Sequence, residues 1–176
     1  FIDMSNIGDF SNSGNTYIEW GPRLSLGRVF SNQSISFGLI KDVYLVGELN
    51  HINNKNISNT TVLGGLSVDL ALPGFNFFKM HMEKRDDPLL AGATEQLSII
   101  WNYPFMLGGK NISFEGFLDF VGSEASNRPS LHTQPQLMLK LNNNISLGLE
   151  YQYWHNKNGK KDFTESVMQG VVRWTF

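Results

Sequence analysis

The amino-acid sequence predicts an all-β protein and, within that class, a transmembrane, antiparallel, up-and-down β-barrel. Two observations predict the class: apolar and polar residues alternate with a period of two in nearly every segment, and no window repeats apolar residues at helical spacing over several turns. A third observation predicts the barrel, because the apolar faces are rich in Trp, Tyr and Phe toward the strand ends. We count about ten strands, bounded by Gly, Asn, Pro and Ser.

Alternation places the first half of the strands in order after a short N-terminal stub at 1–4. The third run shows the pattern most simply, since Leu66 and Val68 lie on one face and Ser67 and Asp69 on the other. The predicted strands of this half cover residues 17–26, 42–50, 62–72, 78–85 and 96–105.

The second half of the chain continues the same alternation. Leu118 and Phe120 oppose Asp119, and near the C-terminus Val172 and Trp174 oppose their polar neighbours. The predicted strands of this half cover residues 113–120, 136–141, 146–154 and 168–176.

The composition of the two faces indicates which one meets solvent. A soluble β-barrel or sandwich would bury its apolar face and expose a charged one. Here charged residues are only 17% of the chain, and the polar faces carry single charges among Gly, Ser, Gln and aromatic residues. Strands of about ten residues that are apolar on one side fit a barrel whose apolar band contacts lipid and whose polar face lines the lumen. A soluble β-barrel that binds a ligand remains the alternative.

The lengths of the connections support the barrel independently, because outer-membrane barrels alternate short periplasmic turns with longer external loops. The short connections are 72–75, 107–111 and 142–144, and the long ones are 51–60, 86–93, 122–130 and 155–166. Only 27–38 is a long connection on the short side. This alternation predicts a periplasmic C-terminus, where Phe176 would be the terminal aromatic residue that the barrel-insertion machinery reads, as in similar outer-membrane barrels.

Composition and motifs exclude several other functions. A net charge of −2 and a pI near 6.1 argue against nucleic acid as a partner. The chain has no cysteine, and its four histidines show no metal-ligand spacing. No nucleophile elbow or zinc-protease motif occurs. We therefore predict that the protein is not an enzyme and uses no metal or other cofactor.

Three N-terminal segments resemble a known family: TYIEWGPRLSL at 16–26, ISFG at 35–38 and KDVY at 41–44. Weaker likeness lies at 63–74, 103–105, 114–120, 153–156 and Phe176. By these segments the chain resembles the nucleoside-specific outer-membrane channels, the Tsx and OmpK-like porins. The resemblance spans most of the chain, but only the first block is specific.

The resemblance implies a monomeric barrel of about twelve strands in the bacterial outer membrane, with a narrow pore that passes nucleosides and deoxynucleosides. Residues 1–176 would then be a single barrel domain that lacks its N-terminal strands, since the first block matches the end of an early strand of the family. Family members also serve phages as receptors through external loops, and the short loops here argue against that role. The family's ligand-binding positions do not transfer individually.

Alternation also nominates the residues that line the pore. Their mixed charges would narrow the pore and disfavour ions of either sign, and their aromatic rings would offer stacking faces to a neutral flat base. The nominated residues are Tyr17, Glu19, Arg23, Tyr44, Glu48, Asp69, Lys79, His81, Glu115, Phe117, Asp119, Lys140, Glu150, Trp154 and Arg173.

A second interpretation of the polar face stays open beside that of a pore lining. Ion pairs inside a barrel often only brace the wall, as in small plugged barrels. The protein would then be a structural or surface-receptor barrel, acting in adhesion or phage binding without selective transport. The first interpretation predicts passive diffusion of small polar solutes, most of all nucleosides.

Overall fold

The computed structural model describes residues 2–5, 16–53 and 56–175, with the backbone alone at 2–5 and 16–19. Phe1, which begins the predicted stub, and Phe176, the predicted contact of the insertion machinery, lie outside the described residues. The strands are β1 (Ile2–Ser5), β2 (Thr16–Trp20), β3 (Arg23–Ser25), β4 (Ile40–Asn53), β5 (Ser58–Leu70), β6 (Phe77–Asp86), β7 (Thr94–Leu107), β8 (Lys110–Val121), β9 (Ser130–Thr133), β10 (Gln136–Lys140), β11 (Ile145–His155) and β12 (Glu165–Trp174). The helical segments in this part of the chain are α1 (Leu26–Ser31) and a 3-10 turn at Lys157–Gly159.

All strands belong to one antiparallel sheet in which neighbours in the chain are neighbours in space. β3 continues β2 beside β4, and β9 continues β10 between β8 and β11, so the twelve strands occupy ten positions. This arrangement confirms the prediction of an all-β, up-and-down barrel wall of about ten strands. The expectation of twelve strands in the intact protein stays a prediction.

Two prolines divide a strand without changing its register. β2 and β3 flank Pro22, whose carbonyl still accepts the N–H of Gly47 at 3.2 Å. β9 and β10 flank Pro135, whose carbonyl accepts the N–H of Tyr151 at 3.0 Å. Because proline lacks only its N–H, the ladder loses one donor at each place. The alternation predicted a strand only from residue 136 onward, so the half strand β9 is an addition to that prediction.

The sheet buries its polar face and exposes its apolar face. The buried polar residues of the strands are Asp42, Thr61, Ser67, Glu83, Thr94, Gln96 and Ser98. The exposed apolar side chains of the strands include Leu24, Leu45, Leu49, Val62, Leu66, Met82, Phe114, Phe120, Leu137, Leu147, Leu149, Met168, Val172 and Trp174. A soluble barrel or sandwich would show the opposite arrangement, so the burial argues against that alternative. It fits a wall whose apolar side contacts lipid.

The connections lie at two ends of the sheet, and most of their lengths agree with the prediction. The predicted long connection 51–60 is an exception, because β4 continues to Asn53 and β5 begins at Ser58, which leaves only 54–57 between the two strands. At the short-turn end, β5–β6, β7–β8 and β10–β11 are joined through 71–76, 108–109 and 141–144. Gly108 and Gly109 both have positive φ, 56° and 72°, as a two-residue hairpin turn requires. The loop end carries the connections 87–93, 122–129 and 156–164.

The one long connection at the short-turn end contains α1, which the sequence pattern did not predict. The N–H of Arg28 donates to Ser25 Oγ at 3.4 Å to cap its start, and Asn32 ends it with φ 56°. The carboxylate of Asp42 accepts the N–H of Ile35 at 3.1 Å and so ties the connection to β4. Six residues are too few to show the repeat of apolar positions by which a longer helix is recognised.

We expect Leu66→Arg to lower the free energy of unfolding in lipid by about 2–4 kcal/mol, the cost of a charge near the bilayer midplane. Leu66 lies on the outward face of β5, between Leu45 and Met82 of the neighbouring strands. Urea titration of vesicle-reconstituted protein, followed by tryptophan fluorescence, measures the change. Ser58→Arg on the same face at the loop end should cost only about 0–1 kcal/mol. Equal losses at both positions would contradict a lipid-facing band.

Candidate functional site

One row of directly opposite residues crosses the polar face from the short-turn end to the loop end. It begins at Ser25, the last residue of β3, and ends at Glu165, the first residue of β12. Residues that are Cα partners in an antiparallel pair share one face of the sheet. The row, here called the lumen row, consists of Ser25, Tyr44, Ser67, His81, Ser98, Asp119, His132, Trp154 and Glu165.

The short-turn end of the lumen row is organised around Arg23. Its guanidinium lies 4.0 Å from the ring centroid of Tyr44. Its Nη2 donates to Asp69 Oδ1 at 2.5 Å and to Ser67 Oγ at 2.8 Å. The side chains of Arg23 and Asp69 are about four-fifths buried. A cavity of about 400 Å³ opens here, lined by Arg23, Leu24, Ser25, Arg28, Val29 and Tyr44.

The middle of the polar face holds carboxylates and amides around one arginine. Arg85 Nη1 donates to Gln96 Oε1 at 3.4 Å, and Gln96 Nε2 donates to Ser98 Oγ at 3.1 Å. Ser98 also hydrogen-bonds the carboxylate of Asp119 on β8. Glu48 accepts a hydrogen bond from the side-chain amide of its own strand neighbour Asn50 at 2.7 Å. This region is therefore acidic, with Arg85 as its central cation.

A second ion pair links strands on the C-terminal side of the wall. Glu115 on β8 pairs with Arg173 on β12 and accepts hydrogen bonds from Asn102 Nδ2 at 2.5 Å and Ser113 Oγ at 3.0 Å. Arg173 Nη2 donates to Gln136 Oε1 at 2.9 Å, while the amide of Gln136 donates to Glu150. The chain of contacts spans five neighbouring strand positions, so it braces the wall.

The loop end of the lumen row is an aromatic cluster. The His132 imidazole stacks on the Trp154 indole, with ring centroids 4.2 Å apart, and Phe117 packs edge-on against His132 at 5.1 Å. Lys157 Nζ lies 4.9 Å from the Trp154 ring centroid and donates to Glu165 Oε2 at 2.6 Å. Among the described residues, Trp154 Nε1 and His132 Nε2 have no hydrogen-bond partner.

The register places every nominated pore residue whose side chain is described on the polar face. Tyr17 and Glu19 are Cα partners of Ile52 and Asn50, and their side chains lie outside the described part. Lys79 lies with Nζ 5.2 Å from the Phe77 ring centroid, and Lys140 is exposed at the short-turn end. That these residues contact a solute remains a prediction.

Several residues of the clusters escaped the sequence analysis. His132 was treated as an isolated histidine because Pro135 hid the alternation of Ser130, His132 and Gln134 with Leu131 and Thr133. Reading 130–140 as one strand interrupted by a proline would have placed His132 on the polar face. Lys157 carries no strand signal, since it belongs to the connection between β11 and β12.

The described part of the chain comprises 2–5, 16–53 and 56–175. No helix there is long and apolar enough to span a membrane. No group of three or more His, Asp or Glu side chains there is arranged to hold a metal ion.

Comparison with known proteins identifies one family. The family model described as nucleoside-specific channel-forming protein, Tsx, matches residues 1–172. The match therefore extends over all described strands except the end of β12. No curated protein matches the chain.

Asp69→Asn should shift ion selectivity toward chloride, because Arg23 would lose the carboxylate that neutralises it in the lumen. One pairwise charge interaction in water is worth about 1 kcal/mol at 4 Å, so the permeability ratio should change by up to about fivefold. Reversal potentials across a planar bilayer in a KCl gradient measure this ratio.

Glu95→Gln is the matched control for this measurement. Glu95 also pairs with a cation, Lys84 at 2.8 Å, but both lie on the outward face and are exposed. Its loss should leave the reversal potential unchanged. An equal shift in both variants would contradict the placement of Asp69 in the lumen.

Proposed function

This chain belongs to the Tsx family of nucleoside-specific channel-forming proteins, and we propose that it forms a pore in the bacterial outer membrane through which nucleosides diffuse passively. The observation that carries the proposal is the lumen row, which crosses the polar face from one end to the other. It has an aromatic ring near each end, Tyr44 and Trp154, and polar side chains between them: Ser67, His81, Ser98, Asp119 and His132.

The chemistry of the polar face suits a neutral, flat, hydroxylated solute. Arg23, Lys157 and Arg173 each pair with a carboxylate, so much of the charge on this face is compensated locally. Aromatic faces contribute about 1–3 kcal/mol per stacked base in single-stranded nucleic acids. Side-chain amides such as Gln134 and Gln152, which hydrogen-bond each other at 2.8 Å, can exchange partners with ribose hydroxyls. Several weak contacts favour release as well as entry.

The surroundings of the pore complete the proposal. Outer-membrane lipid would cover the exposed apolar face, and residues 1–176 would act as one monomeric barrel domain without cofactor, catalytic activity or nucleic-acid partner. Insertion would use the machinery that reads the C-terminal Phe176.

A structural or surface-receptor barrel is the second candidate, favoured by the bracing contacts between Glu115, Arg173, Gln136 and Glu150. Liposome swelling distinguishes the two functions. Reconstituted protein should admit nucleosides faster than sugars of similar mass if the pore is selective. Equal rates would indicate a general pore, and the absence of swelling with correctly folded protein would favour the structural barrel.

Tyr44→Leu should weaken nucleoside binding in the pore about fivefold or more, the lower end of what one stacked base contributes. Leucine keeps an apolar side chain near Arg23 but removes the ring. The measurement is the nucleoside concentration that halves single-channel current in a planar bilayer. Tyr151→Leu makes the same change on the outward face, where Tyr151 is 38% exposed, and should leave this concentration unchanged. Equal effects would exclude stacking on Tyr44.

A further inference from the structure

The indole of Trp154 is covered at the loop end of the lumen row. The imidazole of His132 is stacked on it with planes 16° apart, and the ammonium of Lys157 lies 4.9 Å from the ring centroid. An aromatic base that stacks on an indole needs the same space, since paired rings lie with centroids about 4.5–7 Å apart. Lys157 therefore occupies space over the indole that a stacked base would need.

His132 and Lys157 are held in different ways. His132 belongs to β9, which pairs with β8 on one side and β11 on the other, and Phe117 packs against its ring. Lys157 reaches the indole through a flexible side chain whose ammonium is bonded to Glu165. Moving that side chain breaks one ion pair and one cation–π contact and no backbone hydrogen bond.

The backbone that carries Lys157 is fixed by contacts with the neighbouring connection. The N–H of Lys157 donates to the carbonyl of Phe163 at 2.8 Å. The N–H of Arg128 donates to the carbonyl of Gly159 at 2.8 Å, and Asn156 Nδ2 donates to the carbonyl of Pro129 at 2.9 Å. The ammonium of Lys157 can therefore leave the indole while the backbone of Lys157 stays in place at the loop end.

We propose that the Lys157 side chain is a displaceable cover of Trp154, and that a purine or pyrimidine base entering from the loop end takes its place on the indole. The ammonium then turns toward water or the ribose hydroxyls. This inference rests on the proposed function, since it requires a nucleoside in the pore. It assigns to Lys157 a specificity-determining role, because Lys157 competes for Trp154 with aromatic bases and not with solutes that lack an aromatic ring.

Lys157→Ala tests the cover directly. An exposed or partly desolvated cation–π contact is worth about 0.5–1 kcal/mol, so its removal should tighten adenosine binding roughly two- to fivefold. The adenosine concentration that halves single-channel current measures this change in binding. Lys157→Arg should act in the opposite direction, because the planar guanidinium stacks more strongly on the indole.

Lys161→Ala is the matched control, since Lys161 lies on the same connection and, within the described part of the chain, forms its ion pair with its neighbour Asp162 at 3.9 Å. It removes the same charge and should leave adenosine binding unchanged. If wild-type protein binds adenosine and Lys157→Ala binds it equally or more weakly, the cover is refuted and the channel function stands. Absence of adenosine block in folded wild-type protein would overturn the proposed function together with the cover. Lys157→Arg keeps the test decisive should the alanine variant fail to fold.

Discussion

The structure depends on one constraint: a wall with an apolar outer face in hydrocarbon must pair its own backbone polar groups, because the surroundings offer them no partner. Between β1 and β12, the outermost strands of the described sheet, the continuous antiparallel ladder meets this constraint. Even the two proline sites comply, since Pro22 and Pro135 keep their carbonyls in the ladder and proline has no N–H to leave unpaired. It follows that the apolar side chains are exposed and the polar side chains are enclosed, on the only face that can hold water.

The ion pairs of the polar face bear on whether that face suits charged or neutral solutes. Arg23 bonds Asp69, and Arg173 bonds Glu115, so strongly basic groups are compensated by carboxylates from other strands. Such pairs cost little where water remains nearby and remove the net fields that would attract or repel ions. Hydroxyls, amides and ring faces lie beside these pairs, and the acidic region around Arg85 adds the carboxylates of Glu48 and Asp119. The ion pairs that brace the wall thus also suit the polar face to neutral solutes. The same contacts can serve both stability and selectivity.

The sequence predicted the fold because a period of two is a local signal that survives in every strand, and because aromatic residues mark the strand ends. It missed α1, which is a single short helix, and β9, whose alternation Pro135 interrupts. It nominated most of the polar face, but it could not pair those residues. Arg23 and Asp69 are 46 positions apart, and only the register of β3, β4 and β5 brings them together. Lys157 escaped prediction because connections follow no period.

At each end of the lumen row a cation lies on an aromatic ring, but the two cations are held by different contacts. At the short-turn end, a guanidinium lies on Tyr44 and is fixed by Ser67 and Asp69, with most of its side chain buried. At the loop end, the ammonium of Lys157 lies on Trp154 and is bonded to Glu165. The Arg23 guanidinium makes several hydrogen bonds and keeps its geometry, whereas the Lys157 ammonium is carried by a flexible side chain and rearranges at low cost. The loop end is therefore suited to admit a solute by adjustment, and the short-turn end to present it with a fixed surface.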